Sequence, residues 1–312
     1  MKNNTVVTAG DANYLWGLFL LVASMRKAGM DEPVMIGTKK FDARCERVMK
    51  QLGAVTLTSL DAASHNLTCH KAEVMLQADT EFVTWADSDA LFSGDCSALM
   101  PPPDHSRIHV RRRTPAEMPG AFPKPYDLNE ILPQWQKDVA AVAGQDPGEP
   151  EPPQTFETFQ SCSACFLSVA RDREKFLQVW HRMMMNLPSN DTGVVNRSLK
   201  CYHQLDESCL NATLRYLEGA PEVTETYRMD KDLAHLFVHF CGRPKPWVFW
   251  VPSALRHYDA TLAVVEWARA EKLELPGEVP PAFRSGPLAK RLAFATARPR
   301  EFLFKLRRKI LG

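Results

Sequence analysis

Glu81–Phe92, EFVTWADSDALF, sets two carboxylates, Asp87 and Asp89, one residue apart in an otherwise apolar run. Glu81 to Ala86 reads as a strand, and an ionised aspartate is costly to bury unless it is paired, hydrogen-bonded or bound to a cation. On a plain strand, residues i and i+2 point to one face. Two oxyanions so placed repel unless they share a cation, and hard carboxylate oxygens suit Mg²⁺ or Mn²⁺. Taken alone, the DxD is equally compatible with two solvated acids at a turn.

Outward from this stretch, strand-like and helix-like segments alternate. TVVTAG reads as a buried strand, YLWGLFLLVASMRKAG as a helix closed by basic residues and a glycine, and PVMIGTKK as the next strand. The helix-like FDARCERVMKQLG, the strand AVTLTSL and a helix over His70–Ala78 then lead into EFVTWA. This alternation predicts an α/β layered fold with a largely parallel sheet. In open sheets of that kind ligands gather beyond the carboxyl ends of the strands, which is where Asp87 and Asp89 fall.

With 312 residues, 45% hydrophobic and 24% charged, the chain has the make-up of a globular protein rather than a disordered one. No apolar run is long enough to span a bilayer, and the opening MKNNTVVTAGD lacks the layout of a signal peptide, so a cytoplasmic location is expected. The eight cysteines are scattered, and Cys162 and Cys165 lie among apolar neighbours that suggest buried thiols. Between Pro101 and Pro153 stand twelve of the 23 prolines and the run Arg111-Arg112-Arg113. Proline removes amide donors, so this segment is expected to be neither continuous helix nor central strand, and to form an excursion over the active face. TFQSCSACFLSV and REKFLQVWHRMMM then predict a strand and a helix.

Chemistry gathers again at Val238–Trp247, VHFCGRPKPW, where His239, Gly242 and Lys245 crowd into one segment. Imidazole is a ligand Mn²⁺ accepts, glycine permits close backbone approach, and lysine offers a point charge to phosphate oxygens. Two aspartates, a histidine and a nearby lysine describe a site for a metal-bound diphosphate. HFCGRPKPW resembles the H-x-x-G-x-x-K-P-W signature of family 8 glycosyltransferases, the group that includes glycogenin and the lipooligosaccharide galactosyltransferases. The DSD is similar to that family's metal-binding DxD, and TAGDANYLWG to its first nucleotide-binding loop, so the likeness runs from about Thr5 to Trp250 in separated motifs.

The resemblance implies a GT-A type, Rossmann-like, mostly parallel sheet flanked by helices. It implies a retaining, metal-dependent transfer of a hexose, glucose or galactose by family habit, from a UDP-sugar, with Mn²⁺ favoured and Mg²⁺ as the alternative. By motif position Asp87, Asp89 and His239 would hold the metal, and Gly242 and Lys245 would contact the diphosphate. Ala9, Asp11, Asn13 and Tyr14 would line the base and ribose pocket, with Lys71 near the donor sugar. LDESCLNATL resembles the family's D-Q-D-x-L-N segment, so Asp206 and Glu207 are the catalytic candidates; Glu207 replaces the usual glutamine and Ser208 the second aspartate. Cys162-Ser163-Ala164 stands where the family commonly has Asn-Ala-Gly, which leaves the donor sugar open.

Charge is uneven. From Lys290 to Gly312 eight basic residues face Glu301 alone, in a chain whose net charge is +1. Past Pro299 the spacing of Phe302, Leu306 and Ile310 suggests a basic amphipathic helix suited to an anionic membrane surface, which points to a peripheral position at the inner face of the cell membrane and a glycan or lipid-linked acceptor. No nucleic-acid partner is expected. The resulting division is a catalytic domain over 1–250, including the 101–153 insertion, an extension over 251–289 and a tail over 290–312. Two other readings stand beside it: a nucleotide-sugar-binding protein with weak or lost catalysis, and a phosphatase of the haloacid-dehalogenase type, which also uses a DxD after an apolar strand.

Overall fold

The computed structural model describes residues 3–60, 66–113, 127–155, 159–187, 199–224 and 236–311. Strand β1 (Asn4–Asp11) leads through a single 3₁₀ turn into helix α1 (Leu15–Lys27), followed by β2 (Val34–Lys39), α2 (Ala43–Lys50) and β3 (Val55–Ser59). Asp42 caps α2 by accepting a hydrogen bond from the Cys45 amide at 2.7 Å. The helix expected over His70–Ala78 is shorter: a 3₁₀ turn over Leu67–His70 precedes α3 (Lys71–Met75). Then come β4 (Phe82–Ala86), β5 (Ala90–Phe92), β6 (Arg107–Arg112), α4 (Leu128–Ala143), β7 (Cys162–Ala170), α5 (Glu174–Met185) and α6 (Leu205–Tyr216). The chain continues as β8 (Glu222–Val223), β9 (Phe237–His239), α7 (Tyr258–Ala270) and α8 (Pro287–Leu311).

Among the described residues a seven-stranded sheet runs in the order β3-β2-β1-β4-β7-β6-β8. The first four strands are parallel, β7 is antiparallel to β4 and β6, and β8 is parallel to β6. Both faces are covered, so β1, β4 and β7 are buried almost throughout, while alternation sorts their side chains between two cores. Val6, Ala86 and Phe166 join α1, α2 and α7 on one side; Val7, Trp85 and Leu167 join α3 to α6 on the other. Strand order reverses between β1 and β4, which makes their carboxyl ends the switch point where a ligand crevice opens.

Several expectations change. The proline-rich segment, of which 114–126 lie outside the described residues, is expected from sequence to hold no central strand and to form an excursion, yet β6 pairs on both sides inside the main sheet. It also supplies α4, capped by Asp127 at one end and closed by the left-handed Gly144 (φ 68°) at the other, with Pro133 inside. An interior proline costs about 3 kcal/mol. Ile131, Leu132, Trp135 and Val139 are buried, at about 1.5–3 kcal/mol each, and outweigh it. The C-terminal helix starts at Pro287, not after Pro299, and carries that proline within it. The stretch set apart as an extension, 251–289, contributes Leu262, Val265 and Phe283 to the same core as α1. No helix among the described residues is long and apolar enough to cross a membrane.

Candidate active site

At the end of β1, Asp11 turns its carboxylate back on its own chain, accepting from the amides of Asn13 (3.0 Å) and Tyr14 (3.2 Å) and fixing the loop that follows. Tyr14 meets the ring of Trp247 edge-on at 5.8 Å, so the first loop and the late K-P-W motif share one wall. Gly17 makes their approach possible: a Cβ there would lie 2.4 Å from the carbonyl oxygen of Ser88 and 2.7 Å from the Trp247 ring.

The acid pair is held by backbone on both sides. Asp87, one residue past β4, donates its amide to the Cys165 carbonyl at 2.9 Å, and the Asp89 carbonyl accepts from the Phe240 amide at 2.9 Å. Antiparallel pairing of β5 with β9 sets His239 across from Ala90. A residue 150 positions later thus comes within 3.2 Å of Asp89 (Nε2 to Oδ1) and 3.5 Å of Asp87 (Nε2 to Oδ2). Ligand atoms of the three residues all lie within 4.8 Å of one another. Two hard carboxylates and one imidazole form a donor set that fits Mn²⁺ or Mg²⁺. Behind the imidazole, Cys241 Sγ lies 3.1 Å from His239 Nδ1, which orients the ring so that Nε2 faces the acids.

Two lysines balance these charges. Lys71 is 2% exposed. It donates to Asp87 at 2.8 Å and to the Ala164 carbonyl at 2.9 Å, and pairs with Asp206 at 2.6 Å, so its three donors are all engaged. Burial works to lower its pKa, but Asp206 and Asp87 outweigh that and hold it above the ordinary lysine value. Lys245 donates to Asp89 and, at 2.8 Å, to the Phe240 carbonyl. Burial raises Asp87 above the usual carboxylate range, with Lys71 and His239 only partly opposing it. At Asp89 burial is overcome by His239 and Lys245, and the group is held well below that range. His239 is drawn well above the imidazole range because Asp89 outweighs its burial.

On the far wall, Glu207 is 8% exposed and held by both arms of Arg113, Nε to Oε1 at 2.7 Å and Nη2 to Oε2 at 2.8 Å. Burial raises its pKa and Arg113 pulls against the rise, leaving it above the ordinary value. Its neighbour Asp206 is 3% exposed, and its Oδ1 has no hydrogen-bond partner among the described residues. These groups line one cleft of about 790 Å³ beyond the carboxyl ends of β1 and β4. Ala9, Asp11, Asn13, Tyr14, Lys71, Asp87, Asp89, Asp206, Glu207, His239, Gly242 and Lys245 all border it.

No protein-family model matches the sequence, and no curated protein matches it. Solved structures do. The apo form of the glycosyltransferase GlyE of Streptococcus pneumoniae TIGR4 superposes with a TM-score of 0.50 at 13% identity, over 88% of this chain and 65% of that one. The galactosyltransferase LgtC, solved with donor and acceptor sugar analogs, gives 0.46 at 14%, over 86% and 99%. The bifunctional glycosyltransferase WbbM gives 0.47 at 13%, over 84% of this chain and 49% of its own length. This is a GT-A fold. The chain spans about half of WbbM and under two thirds of GlyE, and at these identities the likeness is one of fold.

Within this GT-A fold several site residues escaped the sequence. Arg113 borders the cleft with Arg111, whereas Arg112 points the other way to Gln160 and the Val223 carbonyl. The period of two in a strand would have separated them had the segment been recognised as a strand. Cys241 and Gly17 stand inside the quoted motifs, but only the geometry assigns them work. Asn211 grips β7 through the Cys162 amide (2.6 Å) and carbonyl (2.8 Å), away from the cleft. Burial pushes the Cys162 thiol up to about 12, as expected of an inert thiol.

Proposed function

We propose that the chain is a retaining, metal-dependent hexosyltransferase that takes a nucleotide sugar, a UDP-sugar by resemblance, and passes its hexose to a glycan or lipid-linked acceptor. The observation that carries this is the convergence of Asp87, Asp89 and His239, from segments far apart in sequence, at the switch point of a GT-A sheet. Asp87, Asp89 and His239 would hold Mn²⁺, with Mg²⁺ as the alternative. The ion, when bound, neutralises charge that develops on the departing diphosphate.

The remaining work falls to the chain itself. Tyr14, Ala9 and the Asp11-braced loop would receive the base and ribose. Lys245 would offer its ammonium to the diphosphate on the same side as Asp89, and Gly242, at φ +79°, gives the backbone room to approach it. The unpartnered Asp206 Oδ1 would accept a hydroxyl of the donor sugar, which satisfies an atom that is otherwise costly to bury. Glu207, pinned by Arg113, is positioned to stabilise positive charge at the sugar; covalent attack would require it to leave two charge-assisted hydrogen bonds. That favours retention by front-face substitution. Melting the protein against a panel of nucleotide sugars, with and without Mn²⁺, tests the proposal. A UDP-sugar is expected to raise Tm only when the ion is present, by mass action. No rise with any nucleotide sugar, or cleavage of simple phosphomonoesters instead, would overturn it.

A further inference from the structure

Helix α8 lies against the body by one face. Ala297 is buried, Phe304 meets the Phe249 ring edge-on at 6.0 Å, and Lys290 holds Asp259 at 2.6 Å. The opposite face is apolar and open: Leu288, Leu292, Phe302, Leu303, Leu306 and Ile310 are 80, 58, 66, 61, 42 and 71% exposed. At 3.6 residues per turn these six fall within a sector of roughly 100°. Single exposed leucines are ordinary, but an aligned stripe of this length marks an interaction surface.

Its margins are basic. Arg291, Arg298 and Lys305 run along one edge and Arg300 and Arg307 along the other, all exposed. Glu301, the sole acid of the helix, is paired with Lys305 at 2.7 Å. We propose that α8 is a docking helix for an anionic lipid bilayer, lying in the plane of the surface with its stripe among the acyl chains and its flanking cations on the headgroup phosphates. The charge pattern selects this partner. A second copy of the chain meeting stripe to stripe would oppose the same cationic edges, which like-charge repulsion disfavours.

The helix also ties the bilayer to the cleft. Phe249, its contact, follows Trp247 by two residues, and Trp247 packs on Tyr14 in the cleft wall. Docking through α8 therefore holds the cleft near the lipid surface and suits an acceptor that is itself anchored there. That last consequence rests on the transferase proposal; the docking does not, and it is read without any activity.

The test is co-sedimentation of the full chain with vesicles of phosphatidylcholine containing about 30 mol% phosphatidylglycerol, and with pure phosphatidylcholine, in about 0.1 M salt. The chain is expected to bind the anionic vesicles about a hundredfold or more tightly than the neutral ones. Because both positions are exposed, Phe302→Glu with Leu306→Glu should keep the melting temperature and lose about tenfold or more of the binding. Each flanking cation is worth about a fivefold gain, so Arg291→Gln, Arg298→Gln and Lys305→Gln together should cost on the order of a hundredfold. Failure of the native chain to sediment with anionic vesicles, equal sedimentation of the double-glutamate variant, or a stripe-dependent dimer by light scattering without vesicle binding would each overturn the proposal.

Discussion

Replacing Lys71 by methionine keeps most of the side chain's bulk and removes a charge that faces both Asp87 and Asp206. The ammonium bridges them at 2.8 and 2.6 Å inside a site where lysine and Asp206 are almost wholly buried. Taking one partner from a buried ion pair costs about 3–5 kcal/mol, because the remaining charge is left uncompensated. In a chain of this size that is a fall in Tm of roughly 5–10 °C. The sign with pH is distinct. In the native chain Lys71 has a raised pKa, so its contribution is complete below the unfolded lysine value and is lost only as strongly alkaline pH passes the folded one. In the variant Asp87, already raised by burial, loses the ammonium that opposed the rise and goes higher still, so stability is present at low pH and lost as pH climbs through its pKa. Lys71→Met should therefore regain stability toward pH 5 relative to pH 8, and Asp206→Asn added to it should recover a large part of the loss. Calorimetry across that range measures both. A variant that melts with the native chain at pH 8, or that gains nothing on acidification, refutes the account of the site as a charge network.

Other perturbations separate the parts. Gly17→Ala should cost about 1–3 kcal/mol in urea unfolding, because its methyl would press on the Ser88 backbone and the Trp247 ring; unchanged stability would mean that α1 does not need this close approach. Cys241→Ala should weaken Mn²⁺ binding about tenfold by loosening His239, with Cys241→Ser restoring most of it; equal affinity in all three proteins would remove Cys241 from the site. Arg113→Met should raise the Glu207 carboxyl further, so the acidic limb of any UDP-sugar hydrolysis moves to higher pH if Glu207 acts as its anion; an unmoved limb would mean it does not.

Much of the fold could be read from the chain. Segments up to Ala86 announce themselves because buried parallel strands are apolar runs and the stretches between them, such as the one that forms α2, have helical length and pattern. The acids and His239 were legible because their residue types are unusual where they stand. Their convergence is expected from the family resemblance alone, not from spacing, since it is the β5 to β9 pairing, remote in sequence, that brings them together. The strand β6 and helix α4 were hidden by the prolines around them, since local propensity there is overridden by the burial of Trp135 and Val110. Resemblance places Lys71 near the donor sugar, but its burial was not legible, because the two carboxylates that make it tolerable come from just past β4 and from α6.

The central claim is that two aspartates and a remote imidazole share one divalent ion. Calorimetric titration of Mn²⁺ into the folded chain with UDP present, repeated on His239→Ala and Asp89→Asn after checking that both retain their secondary structure, measures it most directly. The account predicts a single ion bound by the native chain and binding lost in each variant; native affinity in either would contradict it.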